Sequence, residues 1–330
     1  MRRLINIFSS WFRVDTRVLS LFRIFLGIIC IWDIGRRYNL IDVFYSTSGI
    51  NLSVGQSFIY APQYFSLLHS FRSSEMMTFF FLATFISSFS LLVGYRTRLS
   101  HFLTMIGIIS IHNYRIILEN GGDMAFNALL VWTFFLPLGK HFSIDSLVKS
   151  FKSKVEHKPS DLNESSDNNN FNYYHIAYFG ILIQLSIIYT YNFINKTGSM
   201  WKDGTATFYM YELDTFVTSF GHWFASVINP SIHNILTNST VIIESISLLL
   251  ILSPIFTYYT RAIAFTFFLL FHLMIGISVN IGLFSWVMIT GLILLVQTKH
   301  IDLFKQFISC FAKNRYLVFY DSDCGFCHFS

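Results

Sequence analysis

Residues 19–38 read LSLFRIFLGIICIWDIGRRY, a long apolar run interrupted by Arg23 and closed by Trp32, Asp33, Arg36 and Arg37. A cleaved secretory leader combines a short apolar core with a small-residue cleavage site, and neither is present here. A helix rising about 1.5 Å per residue crosses the roughly 30 Å hydrocarbon layer in about 20 residues. The stretch therefore predicts a retained transmembrane helix.

The rest of the chain repeats that pattern. Apolar residues make up 53% of its 330 residues and charged ones 12%, about half the charged share of a soluble domain. Further apolar windows fall near 76–94, 99–118, 123–139, 173–194, 238–256, 261–279 and 282–298. The expectation is an all-α integral membrane protein, a bundle of about eight transmembrane helices. ENGGD (119–123) and VNIG (279–282) are turn sequences, so the helices flanking each should form antiparallel hairpins.

Loop charge orients the bundle, because Lys and Arg accumulate in cytoplasmic loops. With both termini inside, sixteen basic residues lie in inner segments and six in outer ones; the twenty-third is Arg23, within a span. This predicts a multi-pass protein of a bacterial inner (cytoplasmic) membrane with cytoplasmic termini, its net charge of +5 drawn to anionic membrane lipid. No basic stripe with interleaved aromatics suggests a nucleic-acid partner. Two outer segments, 40–75 and 195–237, exceed turn length, and the second mixes aromatic and polar residues as interfacial helices do. Residues 150–171, rich in Asn and Ser, read as a flexible cytoplasmic linker between two halves. The expected domains are a membrane domain over 1–300 and a cytoplasmic tail over 301–330.

Three stretches carry a family resemblance: LENGGDMAFNALLVWTFFLPLGKHFSID (118–145), YNFINKTGSMWKDGTATFYM (191–210) and FHLMIGISVNIGLFSWVMI (271–289). In sequence order they resemble the HTTM family, bacterial membrane proteins similar to the membrane domain of vitamin K-dependent γ-carboxylase. The resemblance implies a quinone-class cofactor and a pocket lined by Ile281, Phe284 and Met288. In NYRIILENGGD the family's base-activating Lys falls near Ile116 and its His on Gly122, leaving Asn120 as the match, so glutamate carboxylation is not expected. The tail YLVFYDSDCGFC (316–327) resembles the opening of the DCC family of thioredoxin-like proteins, which implies a redox pair at Cys324 and Cys327. A thioredoxin-like core needs several more elements than this tail supplies, so it reads as the start of a longer fusion.

Ionisable side chains inside a bilayer need partners or a purpose. His101, Met105, Ile108, His112, Arg115 and Glu119 recur at helical spacing, and Arg115 and Glu119 stand four apart and can pair. With Asn120 they make either a self-satisfied polar network or one side of a ligand site. His272, mid-span, either bonds a neighbouring helix or handles a proton beside a quinone-like head group; Glu244 is a possible partner. In the 191–210 stretch, Lys196, Trp201, Lys202 and Asp203 form an interfacial anchor or a receptor for a carboxylate or lipid phosphate, with Asp203 expected to cap a helix starting near Thr205. No metal motif, phosphate loop or nucleophile elbow occurs. Three functions stay open: a membrane enzyme using a quinone-like, lipid-soluble redox partner, with His272, His112, Arg115, Glu119 and Asn120 around a polar pocket; a non-catalytic factor for peptide maturation, export or immunity; and a thiol-disulfide carrier through Cys324 and Cys327. The substrate is then a lipid-soluble small molecule or a peptide, and the oligomeric state is not specified.

Overall fold

A computed structural model describes residues 8–45, 64–71, 73–115, 118–155 and 171–311. Ile116, Cys324 and Cys327 lie outside them, as does most of the predicted linker. The chain forms two compact units: a first of residues 14–173 with 297–330, and a second of residues 1–13 with 174–296.

The first unit holds α1 (Thr16–Tyr38), α2 (Ser74–Val93), α3 (Thr97–Tyr114), α4 (Gly121–Phe134), α5 (Ile144–Val155) and α13 (Thr298–Phe311). Strands β1 (Arg13–Asp15) and β2 (Asn172–Tyr174) pair, and the Phe171 carbonyl accepts from the Thr16 N–H at 2.9 Å. Helices α1 to α4 pack in succession. Gly27 makes the first contact close, since a Cβ there would stand 2.7 Å from the Leu92 backbone. Gly94, at φ +71°, ends α2, and a side chain there would strike Arg23. Asp145 then clips the next turn: its carboxylate accepts from the Arg96 and Thr97 N–H groups and from Thr97 Oγ1, each at 2.7 Å. An acid there is favoured by the exposed amides and dipole of a helix start. Asn120 and Asp123 cap α4 reciprocally.

The second unit holds α6 (Ile176–Ile194), the short α7 (Ser199–Lys202), α8 (Ala206–Tyr211) and α9 (Ser219–Val227), then α10 (Pro230–Leu252), α11 (Thr257–Ser278) and α12 (Phe284–Leu292). Helix α10 packs between α6 and α11, and α12 folds back on α11 after Gly282, whose φ is +71°. Arg261 is wholly buried, and its guanidinium donates to Tyr178 Oη and the Ser10 and Ile251 carbonyls. That satisfies a cation which would be costly alone in an apolar interior.

Among the described residues, α1, α2, α6, α10 and α11 are long and apolar enough to cross a membrane, and a sixth span counts if residues 284–295 and 298–309 form one. The eight predicted windows all fall on helices, but fewer meet that test. Helix α3 is interrupted by Arg98, His101, His112, Asn113 and several hydroxyls, and α4 has 14 residues because Pro137 follows close behind. The result is an all-α, membrane-embedded protein. Asp203 does not cap the helix beginning at Ala206: Thr205 holds that position without a side-chain bond, and Asp203 instead terminates α7. Gly204, at φ +72°, turns the chain immediately after it.

Candidate functional site

In the second unit, α6, α7, α8, α10, α11 and the start of α12 line a half-open cavity of about 280 Å³. Its walls are largely apolar and aromatic, including Trp201, Tyr211, Phe271 and Phe284, and beside Asn192, Thr207 and Thr240 its polar groups include two pairs. Lys196, just beyond α6, brings Nζ within 2.5 Å of Glu244 Oε2 on α10 and lies 4.8 Å from the Trp201 ring centroid. Both side chains are mostly buried, 13% and 5% exposed, so the pair is shielded from screening by solvent and each charge depends on the other.

The second pair is Tyr189 on α6 and His272 on α11, with Tyr189 Oη 2.9 Å from His272 Nε2. Tyr189 also stacks on Phe268, with ring centroids 3.7 Å apart, and Phe284 meets the imidazole edge-on. Both rings are thereby held by packing. His272 is wholly buried, and its Nδ1 has no hydrogen-bond partner. With the tyrosine donating to Nε2, the neutral imidazole carries its proton on Nδ1. A buried N–H without an acceptor costs roughly 1–3 kcal/mol.

The first unit contains a different polar constellation. Asp33 accepts from Arg36 at 2.7 Å and Arg37 at 3.0 Å, and Asp123 accepts from Arg37 at 2.7 Å. His112 places Nε2 2.9 Å from Asp33 Oδ2 and Nδ1 2.8 Å from the Asn127 amide. Arg37 also donates to Tyr45 Oη at 3.3 Å. Asp33, His112 and Asp123 have the donor types of a metal site, within 4.8 Å of one another. Two guanidiniums already neutralise the two carboxylates, however, and a divalent cation would have to displace them. The geometry is that of a closed ion-pair network.

The residues predicted to share one polar pocket divide accordingly. His112 and Asn120 belong to the first-unit network or its helix cap, and His272 to the second-unit cavity. Helix α3 ends at Tyr114, so the helical spacing that would pair Arg115 with Glu119 is absent. Arg115 donates to the Phe44 carbonyl at 2.9 Å instead. Glu119 is half-buried in the turn before α4; burial lifts its carboxyl above the ordinary value, the Asp123 charge adds to this, and His112 and Arg37 oppose it. Of the residues implied by resemblance, Phe284 lines the cavity, Met288 is buried, and Ile281 sits in the turn before α12. Lys196 and Trp201 line the cavity, whereas Lys202 and Asp203 are exposed outside its lining. Tyr189 was not legible as a site residue, since nothing in sequence distinguishes it from other tyrosines. Asp33 with Arg36 and Arg37 did carry a signal, the i, i+3 and i, i+4 spacing of a helical ion pair.

No curated protein and no solved structure matches the chain significantly. The family model for the HTTM domain matches residues 12–299, which take in most of both units and every cavity-lining residue. The chain belongs to the HTTM family.

Proposed function

We propose that this HTTM protein is a membrane enzyme whose second-unit cavity receives the head group of a lipid-soluble redox partner of the quinone class. The observation that carries this reading is the buried His272, whose unpartnered Nδ1 belongs to a side chain lining an apolar cavity beside the Tyr189 hydroxyl. At about 280 Å³ the cavity lies near the lower end of ligand pockets, roughly 300–1,000 Å³, a size for a ring system with its tail left in lipid. Such a partner supplies two-electron, two-proton redox chemistry when bound. The chain's own part is to orient and to manage protons. His272 Nδ1–H donates to a carbonyl oxygen, Tyr189 fixes the tautomer, and Lys196 with Glu244 forms a second proton-bearing pair whose net charge stays near zero. Phe271, Phe284 and Trp201 give the head group an apolar lining.

The inner-membrane orientation belongs to the same proposal. Arg17, Arg96, Arg98, Lys140, Lys149 and Lys152 sit at or beside the starts of α1 and α3 and the segment after α4. Arg36 and Arg37, near the end of α1, are consumed by Asp33 and Asp123. Both termini are then cytoplasmic.

A short-tailed quinone titrated into the full-length protein in lipid nanodiscs tests the binding, followed by the absorbance change on reduction. We expect saturable binding that weakens about tenfold in His272→Ala and Tyr189→Phe, roughly one lost buried hydrogen bond. Equal affinity in the wild type and His272→Ala, with both variants folded, would sink the assignment.

A further inference from the structure

Two helices of the first unit are amphipathic, and among the described residues their apolar stripes are largely exposed. On α5, Val148 and Phe151 are 45% and 65% exposed, with Ile144 one turn before them; on α13, Leu303, Phe304, Phe307 and Ile308 are each more than half exposed. Lys149 and Lys152 border the first stripe as exposed side chains, and Lys299 and Lys305 lie along the second helix. The described carboxylates on both helices are directed elsewhere. Asp145 clips the start of α3, and Asp302 pairs with Arg17 at 3.3 Å. What borders the apolar stripes is therefore basic.

Both helices also belong to one end of the unit. Arg17 opens α1 and Thr97 opens α3, and the 139–145 segment touches both starts: His141 lies 2.9 Å from Thr16 Oγ1, and a Cβ on Gly139 would meet Thr97. A helix pair at the end of a membrane bundle, apolar on one face and flanked by lysine, has the composition of one lying in the head-group layer. Here the lysines choose the lipid, since each contributes attraction to an anionic surface.

We propose that α5 and α13 rest on an anionic phospholipid leaflet, their apolar stripes inserted at the acyl boundary and Lys149 and Lys152 engaging lipid phosphates. This docking surface is independent of the cavity and of what the cavity binds. It presents a two-part contact, apolar insertion plus charge, of the kind that makes membrane attachment sensitive to lipid composition.

Hydrogen exchange on the full-length protein, in nanodiscs of phosphatidylcholine alone or mixed with phosphatidylglycerol, reads this directly. Residues 144–155 and 298–311 should exchange more slowly in the mixed discs. Lys149→Gln with Lys152→Gln should erase that gain for α5, at about fivefold per lysine, whereas Lys149→Arg with Lys152→Arg should keep it. Phe151→Asp should raise exchange in α5 while α6 and α10 stay protected, which separates loss of lipid contact from unfolding. Equal exchange in the two disc types would overturn the proposal. So would protection that persists in detergent and rises with protein concentration, since a second copy of the chain would then be the cover.

Discussion

Asp123 performs two tasks with one side chain. It caps α4 together with Asn120, and it accepts from Arg37 in the buried network. Removing one member of a buried ion pair leaves the other uncompensated, at about 3–5 kcal/mol. Asp123→Asn should lower the thermal unfolding midpoint of the purified protein sharply, and Asp123→Asn with Arg37→Met should recover part of the loss; a midpoint within error of wild type would show that the network is not a stabilising unit. Glu119 supplies a pH signature. Its carboxyl titrates above the unfolded value, chiefly because burial disfavours the charge. The folded state therefore holds this proton more tightly than the unfolded chain, and the stability it contributes is present below about pH 4.5 and lost as pH rises through the raised value. Glu119→Gln should flatten the stability profile across that window, measured by unfolding at a series of pH values. The spacing of Asp33, Arg36 and Arg37 was readable as a helical ion pair. That Asp123, 86 residues beyond Arg37, completes it was not, because only packing brings the start of α4 to the end of α1.

Helix contacts in the first unit depend on small residues, the expected currency where lipid removes most of the hydrophobic drive for association. Gly27 and Gly35 lie on the same helix in different surroundings: a Cβ at Gly27 meets the Leu92 backbone at 2.7 Å, and one at Gly35 meets nothing within 4 Å. Gly27→Val should destabilise by about 1–3 kcal/mol through overpacking. Gly35→Ala should be neutral or slightly stabilising through helix propensity. Equal midpoints for the two variants would show that α1 and α2 separate at little cost. Helix locations were legible because long apolar runs are read directly from sequence. Their ends were less so. The hydropathy windows at 99–118 and 123–139 overrun helices that stop at Tyr114 and Phe134, since α3 spends its last turn on His112 and Asn113 and α4 meets Pro137. Asp203 illustrates the same limit: Asp-Gly marks a turn on either side of a helix, and only the backbone shows that it closes α7.

For the whole molecule, the orientation has a direct test. Single cysteines placed at exposed Lys149 and Lys202, in a chain whose native cysteines are replaced, should react with a membrane-impermeant maleimide from opposite sides of the bilayer, Lys202 from the periplasm. Labelling of both from one side would overturn the topology. Class and family follow from the chain itself. A residue string this apolar, with so few charges, cannot bury its surface in water, and the HTTM domain model matches it over residues 12–299. What the tertiary structure alone decided is how the polar side chains are shared out. It assigned His112 to Asp33 and Asn127, and His272 to Tyr189 and a cavity with Lys196 and Glu244. Hydropathy and spacing act along one helix, whereas a buried hydrogen bond is settled by which helices lie side by side, and that arrangement depends on packing among residues distant in the chain.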